Sequence, residues 1–261
     1  MKQLLVKVLP PTLILIVGLV AWEVSVRASH IPVYILPGPI AIAQALVQDW
    51  ATLYPSLLVT LAITAGALTA ATVLGVAIAV LFAQSKWIEQ AFFPYAVILQ
   101  VTPVVAIAPL IIIWVKDAAP ALLICAWLVA FFPIVSNTTL GLNSTDHNLL
   151  NLLQLYGASR RQVFWYLRLP SALPFFLGGL RISGGLALIG AVVAEFVAGS
   201  GGIQSGLAYR ILEAGYQLKI ARMFAALFMI TATGVVIFLI LTLVTHLALR
   251  RWHESAVKRE G

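Results

Sequence analysis

The chain has 261 residues and a net charge of +7, and it is 62% hydrophobic and only 10% charged, with a mean hydropathy of +1.03. A soluble domain carries roughly 45–50% apolar and about 25% charged residues, so water is excluded as the main solvent. Nucleic acid is not the expected partner either, because the basic residues sit at span ends and in connectors, where they set topology, rather than on one face.

Apolar runs of about 20 residues, enough for a helix to cross a hydrocarbon core about 30 Å thick, recur between short polar breaks. An unpaired amide in lipid costs several kcal/mol, and a barrel would show alternation in segments of roughly ten residues. The fold class is therefore all-α, a polytopic transmembrane helical bundle. Six spans are predicted, over about 8–27, 57–83, 92–114, 119–140, 172–198 and 223–249. Residues 1–261 read as one transmembrane domain with its core at about 57–249.

The first run follows Lys2 and Lys7 and exceeds the apolar core of a signal peptide, so it is expected to remain as an uncleaved span. Leu36-Pro37-Gly38-Pro39 then forbids a helix, and an amphipathic stretch over about 40–53 is expected to lie along the membrane surface. On the second span Ala67, Ala71, Gly75 and Ala79 recur every four residues, a spacing that lets helix backbones approach closely. Gln100, Thr102 and Pro103 interrupt the third span, and Pro109 repeats the break. Such a kink frees carbonyls to line a translocation pathway, or it simply bends a helix. Cys125, the single cysteine, lies inside the fourth span and admits no intrachain disulfide.

The fifth span carries a second small stripe, Gly190, Ala194 and Ala198, and two charges. Arg181 is expected to snorkel to headgroups at one edge. Glu195 follows it by about 21 Å at about 1.5 Å per residue, and a carboxylate at that depth is a pathway candidate by default. It either serves an outer gate or vestibule, or it caps the Gly199-Ser200-Gly201-Gly202 turn or pairs with Arg210. The connector over 199–222 reads as a hairpin-like element containing a short helix through Leu212 and Glu213. Glu23 and His246, near span ends, have no evident partner.

An even number of spans puts both termini on one side. That side collects Lys2, Lys7, Lys86, Arg160, Arg161, Arg168, Arg250, Arg251, Lys258 and Arg259, against Arg27, Lys116, Arg210, Lys219 and Arg222 on the other. By the positive-inside rule both termini are cytoplasmic.

The longest connector on that side, about 141–171, is unlike the rest. Ser144-Thr145-Asp146 supplies N-cap candidates, a leucine-rich helix is predicted over 147–156, and Gly157 is placed to end it. Ser159 can cap a second helix reaching Leu167, with Pro170 and Pro174 following. The result is an elbow whose apolar face, Leu149, Leu150, Leu152, Leu153 and Tyr156, is too large to leave in water without purpose. That face packs on the chain's own bundle or docks on a soluble partner.

The elbow also resembles a known pattern. Nine residues separate Gly157 from Leu167, and Leu169-Pro170 follows one residue later. This is similar to the cytoplasmic loop of ABC importer permeases, which reads Glu-Ala-Ala, three residues, Gly, nine residues, Ile, one residue, Leu-Pro. The positions of the family's Glu-Ala-Ala hold Asn151, Leu152 and Leu153 here, so the usual glutamate is replaced by asparagine. Leu36-Pro37-Gly38-Pro39, Pro103 through Ile113, Phe131-Phe132-Pro133-Ile134 with Asn137-Thr138, Gly179-Leu180-Arg181 and Ala194-Glu195 resemble the branch that handles nitrate, sulfonates, taurine and pyrimidine-type nutrients.

The resemblance implies a permease domain working with an ABC ATPase subunit dimer, an extracytoplasmic substrate-binding protein and a second permease copy, in the lipid of a bacterial cytoplasmic (inner) membrane. The elbow would be the coupling helix, with Asn151, Leu153, Tyr156, Gly157, Ala158, Ser159, Arg160, Leu169 and Pro170 at the ATPase interface. The substrate would be a small polar nutrient, either an oxyanion or a pyrimidine- or flavin-type compound. The chain has no G-x-x-x-x-G-K-[ST] phosphate loop, so ATP and magnesium belong to the partner and no cofactor is expected in this chain. No metal-ligand cluster or nucleophile–base pair is legible, and no catalytic residue is assigned. The competing reading, an ion-coupled secondary carrier or channel, needs more intramembrane carboxylates than Glu195 or an internal repeat.

Overall fold

The computed structural model describes residues 2–199 and 205–250, and among these every regular element is helical. In chain order they are α1 (Lys2–Ala28), α2 (Pro39–Gln48), α3 (Trp50–Gln84), α4 (Lys86–Val101), α5 (Val104–Val115), α6 (Ala118–Asn143), α7 (His147–Leu155) and α8 (Arg160–Val163). A π-helical stretch, Phe164–Arg168, then leads into α9 (Leu169–Ala198), followed by α10 (Leu207–Tyr216) and α11 (Ile220–Leu249). Five helical segments among the described residues are long and apolar enough to cross a membrane, and the pair α4–α5 makes a sixth if counted as one span. The Ser200-Gly201-Gly202 part of the expected turn lies outside the described residues, as do Arg251, Lys258 and Arg259.

The expected third span is not one helix. α4 and α5 meet at 98°, and the break falls at Thr102-Pro103. Pro103 has no amide to continue the ladder, and the residue before a proline is pushed out of the helical region. Thr102 accordingly sits at φ −69°, ψ 123°. Its amide and its hydroxyl both donate to the Ile98 carbonyl, at 3.1 and 2.7 Å.

α3 begins at Trp50, well ahead of the expected 57, and α2 takes up only part of the amphipathic stretch. The reason lies in packing. Leu53 is fully buried and joins Ala45, Leu207, Ala225, Ala226 and Met229 in one cluster, with Leu57 against it. Burial of those two leucines holds the first turns of α3 helical beyond the apolar run itself.

The chain divides into two compact units, Met1–Val59 with Gly201–Thr231 and Thr60–Ser200 with Ala232–Gly261. The first is built round the Leu53 cluster and polar ties. Glu23 accepts from the Ile40 amide at 3.1 Å and from Arg27 Nε at 2.6 Å, so it caps the start of α2, a partner invisible in sequence. Gly38 leaves room for that carboxylate, since an added Cβ would stand 2.5 Å from Glu23 Oε2. Asp49 pairs with Arg222, and Arg210 with Glu213 at 2.9 Å and Ser56 at 2.9 Å.

The second unit is organised by α6 and α9. Ala121, Cys125, Ala126, Ala130, Ile134, Val135 and Leu142 of α6 are buried, as are Ala187, Ala191 and Ala194 of α9. An added Cβ at Gly190 would stand 2.8 Å from Ala126 Cα, one at Gly179 2.7 Å from the Pro133 carbonyl oxygen, and one at Gly141 2.8 Å from Ala172 Cα. The α3 stripe meets α6 in the same way, Gly75 facing Ile134. Ser183 Oγ donates to the Ala130 carbonyl at 2.6 Å and ties the helices where small residues bring them close. Arg181 stands 5.6 Å from the Phe238 ring centroid, so its guanidinium has a cation–π partner beyond the snorkelling expected of it.

Gly190→Val is expected to cost about 1–3 kcal/mol by overpacking the α6–α9 contact. Gly178→Val, where nothing lies within 4 Å of an added Cβ, is expected to be close to neutral. Thermal unfolding of the detergent-solubilised variants checks the contrast.

Candidate functional site

The elbow forms from local chemistry at each of its corners. α6 ends at Asn143, where Ser144 Oγ donates to the Leu140 carbonyl at 2.6 Å. Of the three N-cap candidates Asp146 takes the role, its carboxylate accepting from the Asn148 amide at 2.8 Å. α7 closes on a pair of bonds, Gly157 N–H to the Gln154 carbonyl and Ala158 N–H to that of Leu153, each 3.0 Å. Those bonds require a left-handed residue after the cap, and Gly157 supplies it at φ +70°. Ser159 then opens the next helix with a reciprocal pair. Its hydroxyl accepts from the Gln162 amide at 3.3 Å, while Gln162 Oε1 accepts from the Ser159 amide at 2.7 Å. Serine followed three residues later by glutamine is the sequence sign of that box.

The expected second helix of the elbow does not stop at Leu167. It passes through the π-helical stretch straight into α9, giving one helical segment over Arg160–Ala198. Pro170 explains the stretch, because it has no amide to return to Tyr166. The ladder widens instead, and the Leu169 amide reaches the Phe164 carbonyl five residues back.

No residue of α7 is buried. Leu149 and Leu152 are about half exposed, and Leu155 and Tyr156 are 86% and 82% exposed. The apolar face expected from sequence is therefore turned. Leu150 and Leu153 are half-buried, and Leu155 joins the exposed set in their place. Asn151, Gly157, Ser159 and Arg160 are exposed beside Tyr156, and Ala158 is half-buried. Leu169 and Pro170 stand apart from this tip, half-buried at the start of α9. Trp165 and Tyr166, 62% and 78% exposed, were not singled out from sequence.

Nothing in the chain lies within 4 Å of an added Cβ at Gly157. The glycine is thus demanded by its backbone angle alone, and the space over the bend is open.

The expected pathway residues fall in two places. Gln100, Thr102 and Pro103 cluster at the break between α4 and α5, Gln100 and Pro103 exposed and Thr102 half-buried. Glu195 is 3% exposed and accepts from Thr60 Oγ1 at 2.8 Å. Thr60 is fully buried, and Thr64 Oγ1 donates to its carbonyl at 2.7 Å. A signal for Thr60 does exist in the sequence: Ser56, Thr60 and Thr64 recur every four residues and run into the small-residue stripe of α3. Among the described residues no group of histidine, cysteine and carboxylate side chains is arranged to hold a metal ion.

Residues 71–253, more than half of the chain, match the family described as the binding-protein-dependent transport system inner membrane component. The chain is 36% identical over 231 residues to the formylaminopyrimidine transport permease protein ThiX of Halalkalibacterium halodurans, covering 88% of this chain and 90% of that one. It is 37% identical over 197 residues to the riboflavin transport system permease protein RibX of Chloroflexus aurantiacus, covering 75% and 73%. Among solved structures, a crystal structure of an amino acid ABC transporter with histidines shares the fold. Its TM-score is 0.64 at 20% identity, over 80% of this chain and 97% of that one.

Two outcomes are expected of this geometry. Ser159→Ala removes the hydroxyl half of the capping box and loosens the helix start by about 1 kcal/mol, read as faster hydrogen exchange at the amides of Arg161 to Val163. Thr60→Val, of equal volume, takes a donor from a buried carboxylate and lowers stability by about 1–3 kcal/mol, whereas Thr60→Ser keeps it. Thermal unfolding in detergent distinguishes the pair.

Proposed function

We propose a function that proceeds from one premise: the chain belongs to the family of inner membrane components of binding-protein-dependent transport systems. It is an ABC importer permease, a membrane subunit and not a catalytic enzyme. Within that role α7 is the coupling helix, seated in a cleft of an ABC ATPase. Both termini face the cytoplasm, so the elbow does too. Two copies of the chain and two ATPase subunits make the core, an extracytoplasmic binding protein delivers substrate, and lipid surrounds the remaining faces.

One observation carries this reading: a capped helix with no buried residue presents Leu149, Leu152, Leu155 and Tyr156 outward, ending in a glycine bend under open space. Burying a large apolar side chain is worth about 1.5–3 kcal/mol, so a partner that covered these four would gain much from the contact. ATP-driven closure of the ATPase pair would push on the two elbows and rock the bundles between inward-open and outward-open states. The pathway runs past the α4–α5 break at Gln100, Thr102 and Pro103, with Glu195 at its outer part. ATP and magnesium stay on the partner.

For the substrate, similarity to permeases named for formylaminopyrimidine and riboflavin over most of the chain supports a small nitrogen heteroaromatic nutrient ahead of an oxyanion. Uptake of a pyrimidine or a flavin into vesicles holding permease, ATPase and binding protein is expected to require ATP. Uptake driven by an ion gradient alone, without ATPase, supports the carrier reading instead.

Gly157→Asp tests the elbow. Aspartate tolerates a left-handed φ better than most residues, so the bend survives, but a charge enters the docking cleft without a partner. Insertion is expected to be normal, and uptake per ATP hydrolysed to fall by about tenfold or more, the factor for an unpaired polar group buried at about 1–3 kcal/mol. Normal coupled uptake by this variant refutes the assignment.

A further inference from the structure

Each root of the elbow is fastened to a neighbouring helix, the incoming one to α4 and the outgoing one to α3. On the incoming side Asn143, the last residue of α6, donates through Nδ2 to Glu89 Oε2 in the first turn of α4 at 3.3 Å. On the outgoing side Arg168, the last residue of the π-helical stretch, donates through Nη1 to the Ala83 carbonyl at 3.1 Å, one residue before α3 ends. Between them Ala79, Leu142 and Ala172 form a buried cluster with Val80, Ala83 and Phe164 packed on it.

The two ties differ in strength. The Asn143 bond is exposed, whereas the Arg168 bond is partly buried and charge-assisted. Ala83 is among the last carbonyls of α3, which have no partner within the helix, and a cation there meets the negative end of the helix dipole. The widened ladder preceding Pro170 gives Arg168 its place at that end. At the other end of its run through this unit, α3 carries Thr60, the donor to buried Glu195. Twenty-three residues of helix separate Thr60 from Ala83, about 35 Å at about 1.5 Å each.

We propose that Arg168 is the positioning residue that hands displacement of the elbow to α3, so that α3 acts as the rod linking the elbow to the Thr60–Glu195 contact. The proposal rests on the coupling role given to α7 above, and it adds a named route. Arg168 acts through the Ala83 carbonyl and touches neither nucleotide nor substrate. A residue that merely capped α3 would hold that helix in place in every state. A residue that transmits movement makes the α3 end respond when the elbow moves.

The test uses the full complex of permease, ATPase and binding protein in lipid nanodiscs, with Cys125→Ala as background. Single cysteines report from the elbow (Leu155→Cys) and from the last residue of α3 (Gln84→Cys), both exposed positions. Their rates of modification by a water-soluble maleimide are compared with and without magnesium-ATP plus vanadate. In the parent both reporters are expected to respond. Arg168→Met is expected to leave the Leu155→Cys response and to cut that of Gln84→Cys by about tenfold, the factor for one charge-assisted hydrogen bond. Arg168→Lys, which can still donate to the carbonyl, is expected to restore most of it. An undiminished response at Gln84→Cys in Arg168→Met overturns the route while leaving the elbow reading standing. A parent whose Leu155→Cys does not respond overturns both.

Discussion

Lipid gives a helix no gain for hiding an apolar side chain, so α6 and α9 hold together only as well as their surfaces fit. The fit is set by glycines at three levels. Gly141 meets Ala172, Gly179 meets Pro133 and Gly190 meets Ala126, at separations that leave no space for a methyl group. Contacts spread along the pair make it act as one body, and the segments at its ends inherit that stiffness. The elbow is such a segment, leaving from the end of α6 and returning at the start of α9. Its roots are clamped although its middle has no buried residue.

Polar groups inside the spans meet a second constraint, that a donor left unsatisfied in lipid is costly. Several threonines answer it within their own helix, although the buried hydroxyls of Thr138, Thr139 and Thr242 find no partner. Thr64, Thr69, Thr72 and Thr245 each return a hydroxyl to the carbonyl four residues back. Glu195 cannot do this, because a carboxylate has only acceptors to offer and needs donors. It accepts the Thr60 hydroxyl of α3. A shift of α3 along α9 at that level therefore removes a donor from a buried carboxylate, a larger loss than any methyl contact there would give. That asymmetry makes Thr60–Glu195 a place where two arrangements of the bundle can differ sharply in energy.

Much of this was legible in sequence wherever one residue type has one physical use. Gly157 at the end of a leucine-rich run, Ser159 after it and the small stripes of α3 and α9 all do what their chemistry suggests. The resemblance of the Gly157 to Pro170 spacing to importer permeases pointed to the family that residues 71–253 match. What stayed hidden depends on partners far along the chain. Of the two partners of Glu23, Arg27 stands four residues on and was open to reading, whereas the Ile40 amide is 17 residues away and was not. The early start of α3 depends on Leu53 meeting residues beyond 200. Pro103 announced a break, but its 98° angle comes from how α5 packs on α6 and α9. The turned face of α7 shows the limit most directly, since helical spacing named five apolar residues and could not tell which of them the bundle would half cover.

The exposed face of α7 also raises the question of why the helix is formed at all. A helix of nine residues is too short to be stable on propensity, which needs about 12–15 residues even in favourable sequences, and no side chain of it is buried. Beside the half-burial of Leu150 and Leu153, its ends contribute, where Asp146 caps the start, the Gly157 bend satisfies two carbonyls at the close, and the Ser159–Gln162 box anchors the chain beyond. Local hydrogen bonds of this kind keep an apolar surface in fixed shape before anything covers it. A surface that had to fold on contact would spend binding energy on ordering itself. It would also yield under a push. A preformed helix clamped at both roots does neither, and this is the mechanical property that the coupling role proposed for α7 requires.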